Sequence, residues 1–408
     1  MRITQIITIV LLVFIPIGAH CQTFEFRHTA NTQYRIISVA SQDVYYNGIL
    51  SHRGETLNRI MVQVTDVVNG RGVHNAVFQT SDRMFYSSPY RLGENVSVYN
   101  WSREYSSVFE RDRFGTLTIA PQYYMPVKRN VPVFPNRNLN AGDRWSVDGY
   151  EVHDFSDAFG IAQPYVIPFR ANYQYIGERL YREIAYPAIT VNYRIEYSPA
   201  PVRGAIYPVN IEGEFDQVIY WDRSIGQPRA QDERFRITFV LSNGHQIEFR
   251  GTSLSELVES PIMNRDRLVQ EITGEIGRLG LGDVNVRAVE EGVSISLENI
   301  QFYANSQRML PGEQEKLDRI AAILNRYRDR DIMVSGHTAL AGTEEERMIL
   351  SQTRARSVAD YLITRNVRTA ERIVVRGFGA EKPLPDADNN TEEGRRRNRR
   401  VEITILEN

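Results

Sequence analysis

The chain has 408 residues, of which 42% are hydrophobic and 24% charged, and a formal net charge of -2 at pH 7. This is globular composition, long enough for two or three domains with a sizeable core. The near-neutral balance excludes a global charge attraction to nucleic acid or to an anionic membrane surface, so a partner has to be recognised by a local site.

Residues 1–21 read as an export signal: Arg2 precedes an apolar run over 6–17, too short to span a bilayer as a helix, and Gly18-Ala19-His20-Cys21 follows. Cleavage after Cys21 puts Ala19 and Cys21 at the two small-residue positions and leaves Gln22 as the mature N-terminus. The alternative is a lipidated Cys21. Cys21 is the single cysteine, so no disulfide forms within the chain and the folded parts rely on packing.

Residues 22–252 read as a β-rich domain. In "FRITFVLSNGHQIEFRG", Phe235, Ile237, Phe239 and Leu241 alternate with Arg236, Thr238 and Val240. The run turns at Asn243-Gly244 and resumes with Ile247 and Phe249, a period of two on both sides of a hairpin. Similar alternation surrounds Asn69-Gly70 and continues through "ANYQYIGERLYREIAY". Prolines cluster near 121–135 and 198–208, as in loops or edge strands. The expected architecture is an antiparallel barrel or sandwich built from fairly short strands.

Residues 253–292 form a small α/β linking segment, with Leu268, Ile272 and Ile276 spaced four apart on a helix that ends in a glycine-rich stop. Residues 293–408 then alternate strand, helix, strand, helix, strand, strand. Leu317, Ile320, Ala321 and Leu324 give the first of these helices one apolar stripe. This order predicts an α+β domain with two helices on one face of a mixed sheet.

On the second helix, Leu350, Val358 and Leu362 lie four or eight residues apart and Arg354 sits midway between the first two, on the stripe expected to face the core. A guanidinium there needs an anion from the protein or from a ligand. Thr343 and Glu346 predict a capping box at the start of the helix. The Gly-His-Thr strand end at Thr338 points into the same region, which makes a small polar cleft suited to a carboxylate.

"GHTALAG", "LSQTRARSVADYL", "RIVVRGFGAEKP" and "EEGRRRNRRVEITI" resemble the OmpA-like C-terminal domain, a peptidoglycan-binding module of bacterial envelope proteins, over roughly 295–406. The resemblance implies a periplasmic domain that holds the diaminopimelate arm of a peptidoglycan stem peptide. In that family an Asp closing the Gly-His-Thr motif takes the ligand ammonium and the helix arginine takes its carboxylate. Here the arginine matches Arg354, but the aspartate position is Ala339, and the family's asparagine eight residues on is Arg347. Asn398 and Arg399 fall near the same cleft. The carboxylate half of the clamp is retained and the ammonium half is missing, a loss worth about 10- to 100-fold in affinity for one charge-assisted hydrogen bond. Glu344, Glu345 or Glu346 could replace the missing acid, or Arg347 and Arg354 could together hold another carboxylate, of a wall peptide or of an envelope protein.

Other patterns carry blander readings. The arginines of "EEGRRRNRRVEI" read as a loop and final strand, solvated or paired with Glu392 and Glu393, and not as a nucleic-acid site. His337 reads as structural, bonding loop backbone. His153, Asp154 and Asp157 form a compact cluster in an expected loop, where such residues make local turns. Trp145, at the end of "LNAGDRW", reads as a buried anchor. Neither a catalytic triad nor a paired-carboxylate arrangement is recognisable, so no enzyme, cofactor or metal is expected. The expected function is a non-enzymatic cell-envelope protein, periplasmic or associated with the outer membrane. The alternatives are an outer-membrane β-barrel with a wall anchor and a periplasmic scaffold without wall affinity.

Overall fold

The computed structural model describes residues 22–85, 98–200, 206–258, 263–298, 300 and 309–407. Residues 1–21, read from the sequence as an export signal and including Cys21, lie outside them. The first part of the chain forms β1 (Thr32–Tyr46), β2 (Ile49–Val68), β3 (Arg71–Phe85), β4 (Tyr99–Arg111), the short β5 (Leu117–Ile119) and β6 (Lys128–Arg129), β7 (Arg144–Phe155), the single-turn helix α1 (Ser156–Phe159), β8 (Ile161–Tyr181), β9 (Ile184–Tyr197), β10 (Pro208–Asp222), β11 (Gln227–Leu241) and β12 (Gln246–Val258). The two Asn-Gly hairpins form where the sequence places them. Asn69 and Gly70 both adopt positive φ, 51° and 75°, the backbone that matches the twist of the flanking strands.

These strands pair antiparallel in the order β5-β4-β3-β2-β1-β12-β11-β10-β9-β8-β7-β6. Among the described residues β5 and β6 do not pair with each other, so the sheet is open, neither a closed barrel nor a sandwich as expected. The chain between β4 and β7 carries Pro121, Pro126, Pro132 and Pro135, which offer no N–H to a ladder. Side chains bridge that seam instead: Ser107 Oγ donates to the Met125 carbonyl at 2.7 Å, Trp145 Nε1 to the Val133 carbonyl at 2.8 Å, and Arg103 pairs with Asp154. The long strands also exceed the short runs expected, reaching 21 residues in β8. The outward side of this region is polar, with Arg170, Arg194, Glu196, Glu214 and Arg234 all exposed.

The second part comprises α2 (Arg265–Arg278), β13 (Val284–Val289), β14 (Gly292–Glu298), α3 (Pro311–Leu324), β15 (Ile332–Gly336), α4 (Glu344–Thr364), β16 (Ile373–Gly377), α5 (Glu392–Asn398) and β17 (Arg400–Leu406). The strand order is β13-β14-β17-β15-β16, with β15 and β16 parallel and the other pairs antiparallel. Three helices, not two, share the core on one face, because the Leu268, Ile272 and Ile276 stripe of α2 joins those of α3 and α4. Ile332 and Val334 face the helices while Met333 between them faces the other way; Ile373, Val375 and Val374 repeat the pattern on β16. Strands buried on both faces read as unbroken apolar runs.

What covers the second face is the first part of the chain. Met333, Val374 and Leu406 pack against Leu57 and Tyr99, and β16 pairs parallel with the start of β4 at Val374–Tyr99 and Val375–Asn100. All seventeen strands thereby belong to one hydrogen-bonded sheet.

Candidate ligand-binding cleft

The cleft forms where β15 ends and α4 begins. Gly336 and Gly377 are required by close packing: a Cβ on Gly336 would lie 2.0 Å from the Ser351 carbonyl oxygen, and one on Gly377 would lie 2.7 Å from Ser351 Oγ. The helix therefore rests almost backbone to backbone on the two parallel strands. Ser351 Oγ accepts from Gly379 N at 2.9 Å and donates to the Met348 carbonyl at 2.8 Å, which locks the turn after β16 to the helix. Thr338 N donates to the Gly379 carbonyl at 2.8 Å, so the strand end and that turn are held together.

This packing sets the phase of α4. Its buried residues are Ser351, Ala355, Val358, Ala359 and Leu362, whereas Leu350 is 41% exposed. The expected stripe through Leu350 and Arg354 is thus displaced by one residue. Arg354 lies beside the true stripe, half-buried at the rim of the cleft. Burial, and secondarily the charge of Arg399, hold its pKa below the usual arginine range. Arg399 is close enough for its charge to be felt at Arg354, and it is itself paired with Glu392 at 2.9 Å.

The remaining site residues occupy distinct positions. Ala339 is buried, and Thr338 Oγ1 is buried without a hydrogen-bond partner among the described residues. Arg347 folds back to donate to the Gly342 carbonyl at 2.6 Å. The capping box is present: Glu346 N donates to Thr343 Oγ1 at 3.2 Å and Thr343 N to Glu346 Oε2 at 2.9 Å. The Glu346 carboxylate is thereby committed to the helix start, and those bonds depress its pKa. Asn398 is fully buried and ties the loop wall together. Its Oδ1 accepts from Leu384 N, and its Nδ2 donates to the Ala387 carbonyl and to Asn389 Oδ1. Ser351 and Gly379 were missed from sequence; the available signal was the recurrence of small residues at one strand–helix crossing.

The other patterns resolve as follows. "EEGRRRN" is the helix α5, not a loop; Arg395 and Arg396 pair with Glu392 and Glu393, while Arg397 reaches Glu298 and Arg400 is buried against Glu402. His337 does not bond loop backbone through its ring. Both ring nitrogens are buried without hydrogen-bond partners among the described residues, and the ring stacks on Phe378 at 5.1 Å. His153 and Asp154 lie on β7, not in a loop. His153 Nε2 contacts Glu151 at 2.8 Å, Asp154 and Asp157 both grip Arg103, and Asp154 Oδ1 also accepts from Ser156 N as a local turn. Trp145 is half-buried and stacks on Tyr173 at 5.1 Å.

Residues 301–399 match the OmpA family. The chain carries an OmpA family domain. Over 107 residues, 26% of this chain, the domain is 40% identical to the probable lipoprotein YiaD of Escherichia coli K12, covering 48% of that protein. Over 106 residues, also 26% of this chain, it is 38% identical to the peptidoglycan-binding protein ArfA of Mycobacterium tuberculosis, covering 32% of it. The chain therefore spans less than half the length of both relatives. Among solved structures, the cell wall anchor of the T6SS from Pseudomonas aeruginosa is 30% identical, with 36% of this chain and all of that chain covered and a TM-score of 0.29. The first part of the chain, through β12, lies outside the OmpA match.

Proposed function

We propose that the chain is a non-enzymatic cell-envelope protein whose OmpA family domain binds peptidoglycan through a stem-peptide carboxylate alone. The observation that carries this reading is the half-buried Arg354 at the rim of the cleft, with Arg399 nearby, set beside a motif position occupied by the methyl group of Ala339. A carboxylate meets a guanidinium there, whereas an ammonium meets no acid from residue 339. The 38% identity to a protein named as peptidoglycan-binding supports the same ligand class. In this reading Arg354 donates to the carboxylate, and Asn398 and Ser351 are positioning residues that hold the surrounding loop and helix.

The first part of the chain acts outside the membrane in this reading, because a lipid-facing surface bearing Arg170, Arg194 and Arg234 would cost about 2–4 kcal/mol for each arginine near the midplane. A second reading, a protein partner at the same cleft, is favoured by Leu340, Ile349 and Leu350, which are 62%, 59% and 41% exposed around it.

The test is co-sedimentation of the chain from residue 22 onward with insoluble peptidoglycan sacculi. The natural protein pellets, Arg354→Ala stays in solution, and Ala339→Asp binds about 10- to 100-fold more tightly by restoring one charge-assisted contact. A natural protein and an Ala339→Asp variant that both remain in solution would overturn the wall-binding reading.

A further inference from the structure

The concave side of the curled sheet of the first part lines a half-open cavity of about 450 Å³. Strand alternation dictates its wall. Tyr34, Ile36, Ser38 and Ala40 of β1 point inward, while Arg35, Ile37 and Val39 between them point toward the OmpA domain side. The same period of two brings Asn58 and Ile60 of β2, Phe235 and Ile237 of β11, and Ser253 and Leu257 of β12 to the wall. A concave, mainly apolar chamber of this volume with a few convergent polar groups is the usual form of a small-molecule site.

The charges in the wall are unevenly matched. Glu233 pairs with Lys128, and Glu151 accepts from the Tyr193 hydroxyl at 2.6 Å and contacts His153 Nε2 at 2.8 Å. Gln217 and Gln231 bond each other at 3.0 Å. Arg111 differs from all of these. Among the described residues no carboxylate lies within ion-pair distance of it; its neighbours are the Tyr34 hydroxyl and the rings of Phe26 and Phe109, 4.7 Å and 5.7 Å from the guanidinium carbon. Burial holds its pKa below the usual arginine range, yet it keeps accessible surface because it faces the cavity. A guanidinium set between aromatic faces in an apolar chamber supplies one strong anion contact and a dry wall beside it.

We infer that this cavity binds an amphiphile with one anionic head and a single aliphatic chain, the head on Arg111 and the chain along the wall formed by Ile36, Ile60, Phe235 and Ile237. Charge complementarity selects an anionic head, since the acidic groups of the wall already have partners, whereas Arg111 has the Tyr34 hydroxyl beside it but no carboxylate among the described residues. The site is distinct from the wall-binding cleft, and the two lie on opposite sides of β1 and β2.

Titration calorimetry on the chain from residue 22 onward tests this with palmitate, lysophosphatidylglycerol and hexadecanol. The two anions separate a free fatty acid from a lipid headgroup as the source, and the alcohol keeps the chain without the charge. Palmitate or lysophosphatidylglycerol is expected to saturate at one per chain, with hexadecanol about 10- to 100-fold weaker. Arg111→Gln abolishes that preference, Arg111→Lys retains part of it, and Ala40→Trp, which fills the chamber, removes binding of all three. Circular dichroism establishes folding of each variant; if Arg111→Gln does not fold, the lysine and tryptophan variants decide. Absence of saturable binding, equal affinity for anion and alcohol in the natural chain, or undiminished binding in Ala40→Trp overturns the inference.

Discussion

His337 is buried at 3% exposure, stacked on Phe378, with Glu402 3.8 Å away and Arg400 nearby. Burial first, and then the charge of Arg400, push its imidazole down to about 3 against the field of Glu402. Burial pushes Glu402 upward, but His337, Arg400 and Arg287 outweigh it and hold the carboxyl at about 2. Both shifts act in the same direction on stability, through different windows. A histidine whose folded pKa is depressed leaves the unfolded chain binding the extra proton, so stability present above about pH 6.5 is lost as pH falls toward 3. The carboxylate contributes above its ordinary 4.5 and loses that contribution only as pH falls toward 2. Between pH 7 and pH 5 it is therefore the histidine of the unfolded chain that takes up the proton, while His337 stays neutral in the folded protein. His337→Phe, which keeps a ring on Phe378 and removes the proton site, should lose less stability over that interval than the natural chain, by about 1–2 kcal/mol at a limit of about 1.4 kcal/mol per pH unit. Urea midpoints at the two pH values measure it, with His74 common to both proteins; identical pH dependences would mean that His337 is not held neutral by its burial.

The helix α4 shows what a sequence reveals of an element and what it leaves out. Its start was legible, because Thr343 and Glu346 satisfy a local hydrogen-bonding rule. Its phase was not, because apolarity ranks Leu350 above Ser351, whereas the strand glycines beneath select the smaller residue. Packing at backbone contact is a relation between elements, and hydrophobic periodicity within one element does not carry it. The hairpins at Asn69-Gly70 and Asn243-Gly244 were legible for the opposite reason: the turn backbone and the flanking alternation are both local. Two glycine substitutions separate these cases. Gly336→Ala drives a methyl group into the Ser351 backbone and should cost about 1–3 kcal/mol, at the upper end because neither partner is a flexible side chain. Gly274→Ala, in the exposed interior of α2 with nothing within 4 Å of the added carbon, should stabilise by about 0.5–1 kcal/mol. Denaturant unfolding of both proteins checks the signs, and a neutral Gly336→Ala would show that helix and strands have room to separate.

For the whole molecule, the decisive feature is one the sequence did not disclose: the two parts of the chain share a sheet and a set of buried ion pairs. Pairing of β16 with β4 joins residues far apart in sequence, and no local pattern encodes such a register. Glu407, next to the end of β17 and only 5% exposed at its side chain, binds Arg35 of β1 at 2.5 Å, Arg265 of α2 at 2.7 Å and Met263 N at 3.1 Å. Asp331 likewise holds Arg59 of β2 at 2.7 Å and Arg372 at 2.8 Å. Removing one member of a buried pair strands the other charge, at a cost of about 3–5 kcal/mol. Glu407→Gln should therefore weaken the junction more than it weakens either part, and calorimetry should resolve one natural unfolding transition into two. Glu178→Gln provides the contrast, because its partner Arg223 is 50% exposed and a surface pair contributes only about 0–1 kcal/mol. Two transitions already present in the natural chain, or a Glu407→Gln profile matching that of Glu178→Gln, would mean that the parts fold independently. A single coupled transition would mean instead that occupancy of the cavity on one side of β1 and β2 is stabilising for the OmpA domain on the other.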